Sequence, residues 1–419
     1  MKQQTKSNRI IKPLFILVPG LLVLLGGILY LLSGESGAAA FITARTGPDG
    51  ENIQDHGNYS GGPDAEPAMG TGTMQEQLET FIEYAKYPLD SRPLYGGELD
   101  LLLPYAPQQV PTPLINLKCM QPGTECEAEE RLISVTCTVK PQSVMAIQAT
   151  EFELIAYCLD ANGKHIDLSK FQAEIYLEVE GKRDVLQPPP KHFADDGSNG
   201  DRKAGDGIYH IVLGLGPKAW GWMNLTLRGE YEGQPVKTMG TLWFSTPHKV
   251  AEFLPPIQES IKDGSLVIQV PVQIHKAGWY EFDANLMQAE GEKKPIARAY
   301  NNTELTAGRH VIEFLFFGKV LRDRAINGPY ELKNLRGRRN NSPVTPADLG
   351  RAAQAGVQPT PRKGLEHQPD FEYISPGPEY TTQKAYFAED FSDAEWTSEF
   401  KTARLEMLRE WAEEEKLGF

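Results

Sequence analysis

Cysteine is absent from this chain outside a forty-residue window, 119–158, and only four copies fall inside it. None of the four has the tight C-x₂₋₄-C spacing of a structural zinc knuckle, which disfavours a zinc scaffold. Histidine is sparse, with eight copies, and none belongs to an H-E-x-x-H motif. There is no G-x-S-x-G segment, and no Gly-rich loop follows a strand and opens a helix to hold phosphate. The signatures of a triad hydrolase, a zinc protease and a P-loop enzyme are therefore missing, and the chain is not expected to be an enzyme. Positive charge is also short: 42 Lys and Arg face 56 Asp and Glu, a net charge of -14. Nucleic-acid binding needs clustered cations that displace counterions. The short basic patch at 336–339, beside Lys333, reads as a solvated turn, so no nucleic-acid partner is expected.

Long apolar runs are missing too, except for one. Residues 13–32 carry no charge, and as a helix they span about 30 Å, the thickness of a bilayer core. Lys2, Lys6, Arg9 and Lys12 precede the run, and Glu35 is the first charge after it. Positive charge stays on the cytoplasmic side, so the expected partner of 13–32 is the lipid bilayer, with the remainder outside the cytoplasm. The competing reading is a cleaved signal peptide, with Ala38, Ala39 and Ala40 as a small-residue site. An apolar stretch this long exceeds the usual signal length of about 7–15 residues and favours a retained anchor.

In that setting the clustered cysteines point to disulfides rather than free thiols or metal. Three pairings are open. The favoured one joins Cys119 to Cys126 across Pro122 and Gly123, and Cys137 to Cys158 between neighbouring strands.

What the chain has in plenty is glycine and proline, 39 and 31 copies, falling between short alternating segments. Residues 1–12 form a basic cytoplasmic start and 33–73 read as a flexible stalk. A short helix is expected from 74, capped by Thr73 with Glu76, followed by Pro-rich extended chain up to 129. Six or seven strands follow within 130–247, and a second set begins after Pro255 and Pro256, within 257–391. The polar stretch 337–378 is too long for an ordinary strand connection and reads as a disordered or binding arm. In 392–419, Trp396, Phe400, Ala403, Met407 and Trp411 recur at steps of four and three. That spacing predicts an amphipathic helix that either packs on its own domain or contacts another subunit. The expected fold is all-β: two tandem sandwiches behind one N-terminal transmembrane helix, with a C-terminal amphipathic helix.

Asp195, Asp196, Asp201 and Asp206 lie within twelve residues and alternate with glycines. Such a loop either bonds its own backbone or turns its carboxylates on a hard cation, and Ca²⁺ is the candidate. His192 is the histidine nearest the loop in sequence. The loop resembles the D-D-G-x-x-G-D-x-x-A-x-D-G-x-Y signature of bacterial extracytoplasmic β-sandwich domains, through Asp195-Asp196-Gly197, Gly200-Asp201, Ala204 and Asp206-Gly207-x-Tyr209. That resemblance covers 130–247 and implies an immunoglobulin-like or fibronectin-like fold. The second unit is similar to another module of secreted and surface proteins, through Ala277-Gly278-Trp279-Tyr280, Phe317-Gly318, Asn327-Gly328-Pro329-Tyr330 and a closing segment at 380–391. Neither resemblance implies a reaction. Together they suggest a single-pass inner-membrane protein with its bulk in the periplasm, a structural or interaction subunit of a bacterial envelope assembly. Its expected partners are other envelope or membrane proteins, through Trp396, Phe400, Met407 and Trp411. The alternative is a glycan- or peptide-binding module that uses aromatics of Lys218-Ala-Trp-Gly-Trp-Met223.

Overall fold

A computed structural model describes residues 73–107, 111–124, 126–127, 131–179, 182–185, 191–198, 200–238, 242–363 and 368–417. It also describes a two-residue antiparallel pairing of Arg45–Thr46 with Asn52–Ile53. The apolar run at 13–32 and nearly all of the stalk lie outside the described residues. Among the described residues no helix is long and apolar enough to cross a membrane.

The described chain is mostly β, in several sheets, with helices at both ends and between strands of the second half. Helix α1 (Met74–Tyr84) opens on a capping box. Thr73 Oγ1 accepts from the Glu76 N–H at 3.2 Å, and Glu76 returns the bond to the Thr73 N–H at 2.8 Å. Strand β1 (Ser91–Pro93) and a single helical turn α2 (Leu99–Leu102) follow. The sequence suggests only extended chain here, because the prolines of 88–116 mask a three-residue strand.

The first sandwich runs through β2 (Thr112–Asn116), β3 (Leu132–Pro141), β4 (Met145–Ile147), β5 (Glu151–Asp160), β6 (Gln172–Val179), β7 (Lys182–Val185), β8 (Lys191–His192), β9 (Tyr209–Gly214), β10 (Gly221–Tyr231), β11 (Gln234–Lys237) and β12 (Leu242–Thr246). Its pairing order is β8-β6-β10-β11-β2-β3-β5-β9, with β12 on β10 and β4, and β7 on β6. The two ends of that path enclose one core, where Phe152 stacks on Trp243 at 5.1 Å. Alternation builds it: Phe152, Leu154, Ala156 and Cys158 on β5 point inward.

The second sandwich comprises β13 (Ala251–Phe253), β14 (Gln258–Lys262), β15 (Ser265–Ile274), β16 (Gly278–Gln288), β17 (Pro295–Leu305), β18 (Gly308–Phe316), helix α3 (Gly318–Arg324) and β19 (Tyr330–Asn340). After helix α4 (Pro346–Ala355) come β20 (Phe371–Ile374), β21 (Tyr380–Thr381) and helix α5 (Glu399–Leu417). One sheet centres on β15, flanked by β13, β14 and β18. The other has the order β20-β19-β16-β17-β1, with β21 on β19. Leu266, Ile268, Val270, Val272 and Ile274 of β15 meet Tyr280, Phe282, Ala284 and Leu286 of β16 between them.

Two expectations change here. The stretch 337–378 is not one irregular arm: 337–340 complete β19, α4 follows, and β20 returns to pair with β19. The second sandwich also takes β1 from before the first, so its sheet reaches outside 257–391.

Candidate functional site

The aspartate loop joins β8 to β9 and satisfies itself. Asp195 Oδ1 accepts the N–H groups of Gly205 at 2.6 Å and Asp206 at 3.2 Å, and its Oδ2 accepts that of Gly207 at 2.9 Å. Asp201 accepts from Gly197 at 2.6 Å and Lys203 at 3.0 Å, and Asp206 accepts from Ile208 at 3.0 Å. The N–H of Lys203, then that of Gly197, holds the Asp201 carboxyl below the usual carboxylate range. Asp195, Asp201 and Asp206 each offer an oxygen within 4.8 Å of the others. Asp196 stands outside that group and binds the N–H and hydroxyl of Ser198 at 2.9 and 2.7 Å. The arrangement is a weak acidic cluster whose members already accept backbone bonds.

His192 is exposed. The histidines that act near the loop are two others. His165 Nδ1 meets the Gly207 carbonyl at 3.0 Å, and buried His210 Nδ1 meets Glu153 Oε1 at 2.7 Å. Gly207 has φ +81, and a Cβ there would lie 2.5 Å from the His165 ring, so the signature glycine answers both a turn and a close approach. Sequence distance hides His165, which comes from the segment after β5, and it hides Glu153, the partner of His210. No catalytic site is assembled among the described residues.

All four cysteines are paired, Cys119 with Cys126 and Cys137 with Cys158. Cys137 and Cys158 face each other in register on β3 and β5.

At the chain's end, α5 packs on α1 through Leu408 and Ala412 against Leu78, with Leu405, Met74 and Phe81 around them. The helices are antiparallel, and Glu415 near the end of α5 accepts the Met74 N–H at 2.6 Å. The packed face is not the stripe that the aromatics mark. Phe400 and Trp411 stay 46% and 39% exposed, Ala403 is exposed and Met407 half-buried. Trp396 precedes the helix and donates its backbone N–H to the Lys86 carbonyl at 2.9 Å. The Arg404 guanidinium lies 5.8 Å above the Trp411 ring.

The aromatics of 218–223 divide between two roles. Trp220 is half-buried where the sandwiches meet, and its Nε1–H donates to the Phe371 carbonyl at 3.2 Å. Trp222 is 52% exposed and packs edge-on against Phe244. The basic patch at 336–339 is not a solvated turn. It lies in β19, where Arg336 pairs with Asp283, Arg338 with Glu281 at 2.6 Å, and Arg339 with fully buried Glu372 at 2.8 Å. Cross-strand carboxylates on β16 and β20 consume the charge that looked free in the sequence.

Residues 255–338 match the model of the C-terminal domain of DUF4785, a family of unknown function. No curated protein matches the chain. Among solved structures it is similar to a DUF4785 family protein from Legionella pneumophila, at 16% identity and a TM-score of 0.37, over 50% of this chain and 54% of that one. It is also similar to Escherichia coli alpha-2-macroglobulin, at 11% identity and TM-score 0.29, over 57% of this chain and 14% of that one. The three fibronectin domains of chicken CNTN1 match at 8% identity and TM-score 0.17, over 57% of this chain and 62% of that one. This chain thus spans about half the length of the Legionella protein. Likenesses this distant say nothing of what it binds; the family match is confined to the second sandwich, whose core strands β15 to β19 lie almost wholly within it.

Proposed function

We propose that this chain is a membrane-anchored, extracytoplasmic interaction subunit of a bacterial envelope assembly, and that α5 is its contact for another envelope protein. The observation that carries the reading is the exposed apolar flank of α5 beside its contact with α1. Phe400 and Trp411 are large aromatics left 46% and 39% exposed, although the helix has already buried Leu408 and Ala412. Exposed aromatics on a helix face are the side chains that dominate protein interfaces when covered. The two disulfides fit an oxidising compartment. In this reading the uncharged run 13–32 is the inner-membrane anchor, with the N-terminus in the cytoplasm and the bulk of the chain in the periplasm.

Photo-crosslinking in cells from a position beside Trp411 tests the contact. The expected result is a discrete crosslinked species that disappears in a Phe400→Ser/Trp411→Ser variant of unchanged melting temperature. The same crosslinking pattern in the variant would remove α5 from the interface. A second reading rests on Trp222, which is 52% exposed on β10: a glycan surface there would retain the protein on purified cell-wall polymer and lose that retention on Trp222→Ala.

A further inference from the structure

The chain crosses between the sandwiches twice, once into β2 and once out of β12. Two crossings alone leave rotation about the line that joins them. The side-chain contacts that tie the second sandwich to the end of β12, beside the second crossing, gather on β20. Its Phe371 carbonyl accepts from Trp220 Nε1 at 3.2 Å, and its Tyr373 N–H donates to Thr246 Oγ1 at 3.1 Å. The Tyr373 ring meets Phe244 edge-on at 5.0 Å. Phe244 and Thr246 belong to β12 of the first sandwich, whereas β20 pairs residue by residue with β19 of the second. One four-residue strand therefore serves both bodies.

What fixes β20 on the second sandwich is a charge. Glu372 is fully buried and is held by Arg339 at 2.8 Å, Asn341 Nδ2 at 3.2 Å and Lys276 Nζ at 3.1 Å. Lys276 Nζ also lies 5.6 Å from the centre of the Trp220 ring, so the cation that holds Glu372 touches the first sandwich as well. A buried carboxylate is retained only with such partners, and removing it leaves cations without a counter-charge.

We propose that β20 is a clasp that sets the angle between the two sandwiches, with Glu372 as its pin. Releasing β20 from the first sandwich leaves each core intact and frees rotation about the two crossings. The full-length protein, labelled at Lys170→Cys and Glu292→Cys, one exposed position in each sandwich, reads that angle by pulsed electron–electron resonance. Glu372→Gln is expected to widen the inter-label distance distribution about twofold and to speed amide exchange at 371–374 roughly tenfold, while β10 and β15 keep their protection. Trp220→Phe/Thr246→Val removes both hydrogen bonds that tie the clasp to the first sandwich and leaves only the Tyr373–Phe244 ring contact. It should widen the distances as well, with β20 still paired to β19 and its exchange rate unchanged. Distributions as narrow as the parent's in the second variant overturn the proposal, whatever Glu372→Gln does to folding.

Discussion

The four loop aspartates show how little a residue's identity says about its task. Asp195 and Asp196 are neighbours, yet one gathers three backbone N–H groups from across the loop and the other caps the turn at Ser198. Asp201 gives the sharpest test because its carboxyl lies below the ordinary range, held there first by the Lys203 N–H and then by Gly197. A carboxyl whose folded value is depressed contributes stability above its unfolded value, near about 3.9, and loses it as pH falls through the folded value. In an acid titration followed by NMR, the Gly197 and Lys203 amide resonances should therefore move with a midpoint below about 3.9. Asp201→Asn should abolish that movement. The presence of a tight loop was legible in the glycine spacing. Its partners were not, because His165 and Glu153 enter from β5 and the segment after it, and a linear pattern carries no information on which segment lies alongside.

At the scale of elements, the last helix is legible in kind and misleading in orientation. Aromatic spacing marks a stripe through Phe400, Ala403, Met407 and Trp411, whereas the packed stripe passes through Leu405, Leu408 and Ala412. The helix carries two apolar stripes, and sequence weight favours the one with larger side chains. The two should separate under mutation. Leu408→Ala opens a void against Leu78 and should cost about 2–3 kcal/mol, read as faster amide exchange in both α1 and α5. Trp411→Ala removes a partly covered side chain and its Arg404 contact and should cost about 1 kcal/mol, less than Leu408→Ala. Equal losses from both would mean that Trp411 is packed after all. Strand β20 failed to register in the sequence for a related reason. Phe371-Glu-Tyr-Ile374 alternates, but the side chain it buries with Ile374 is Glu372, which inverts the usual code of apolar in and charged out. The same pairing explains the basic patch at 336–339: Arg339 reads as surface only until Glu372 is placed opposite.

At the scale of the molecule, sequence order and spatial order part company. The β15 strand could be read from its alternation alone, and the core it forms with β16 follows from that. The sheet containing β16 nevertheless ends on β1, whose three residues precede the entire first sandwich. Ser91 is fully buried there and its hydroxyl accepts the Phe317 N–H at 2.8 Å, while Leu94, also fully buried, donates its N–H to Ile296. A fragment of residues 249–391, which keeps β13, would leave that edge of β17 unpaired and uncover the site of Leu94, whose burial alone is worth about 2 kcal/mol. Such a fragment should melt below the same sandwich within the whole protein. A peptide of residues 86–107 added in trans should raise its melting temperature with concentration, because a ligand that binds only the folded state shifts the equilibrium by mass action. A peptide with Ser91→Pro, which removes the N–H and the hydroxyl together, should not. If saturating wild-type peptide left the transition where it was, the second sandwich would be complete without β1, and the chain's passage through it before the first sandwich would be a matter of connection rather than of stability.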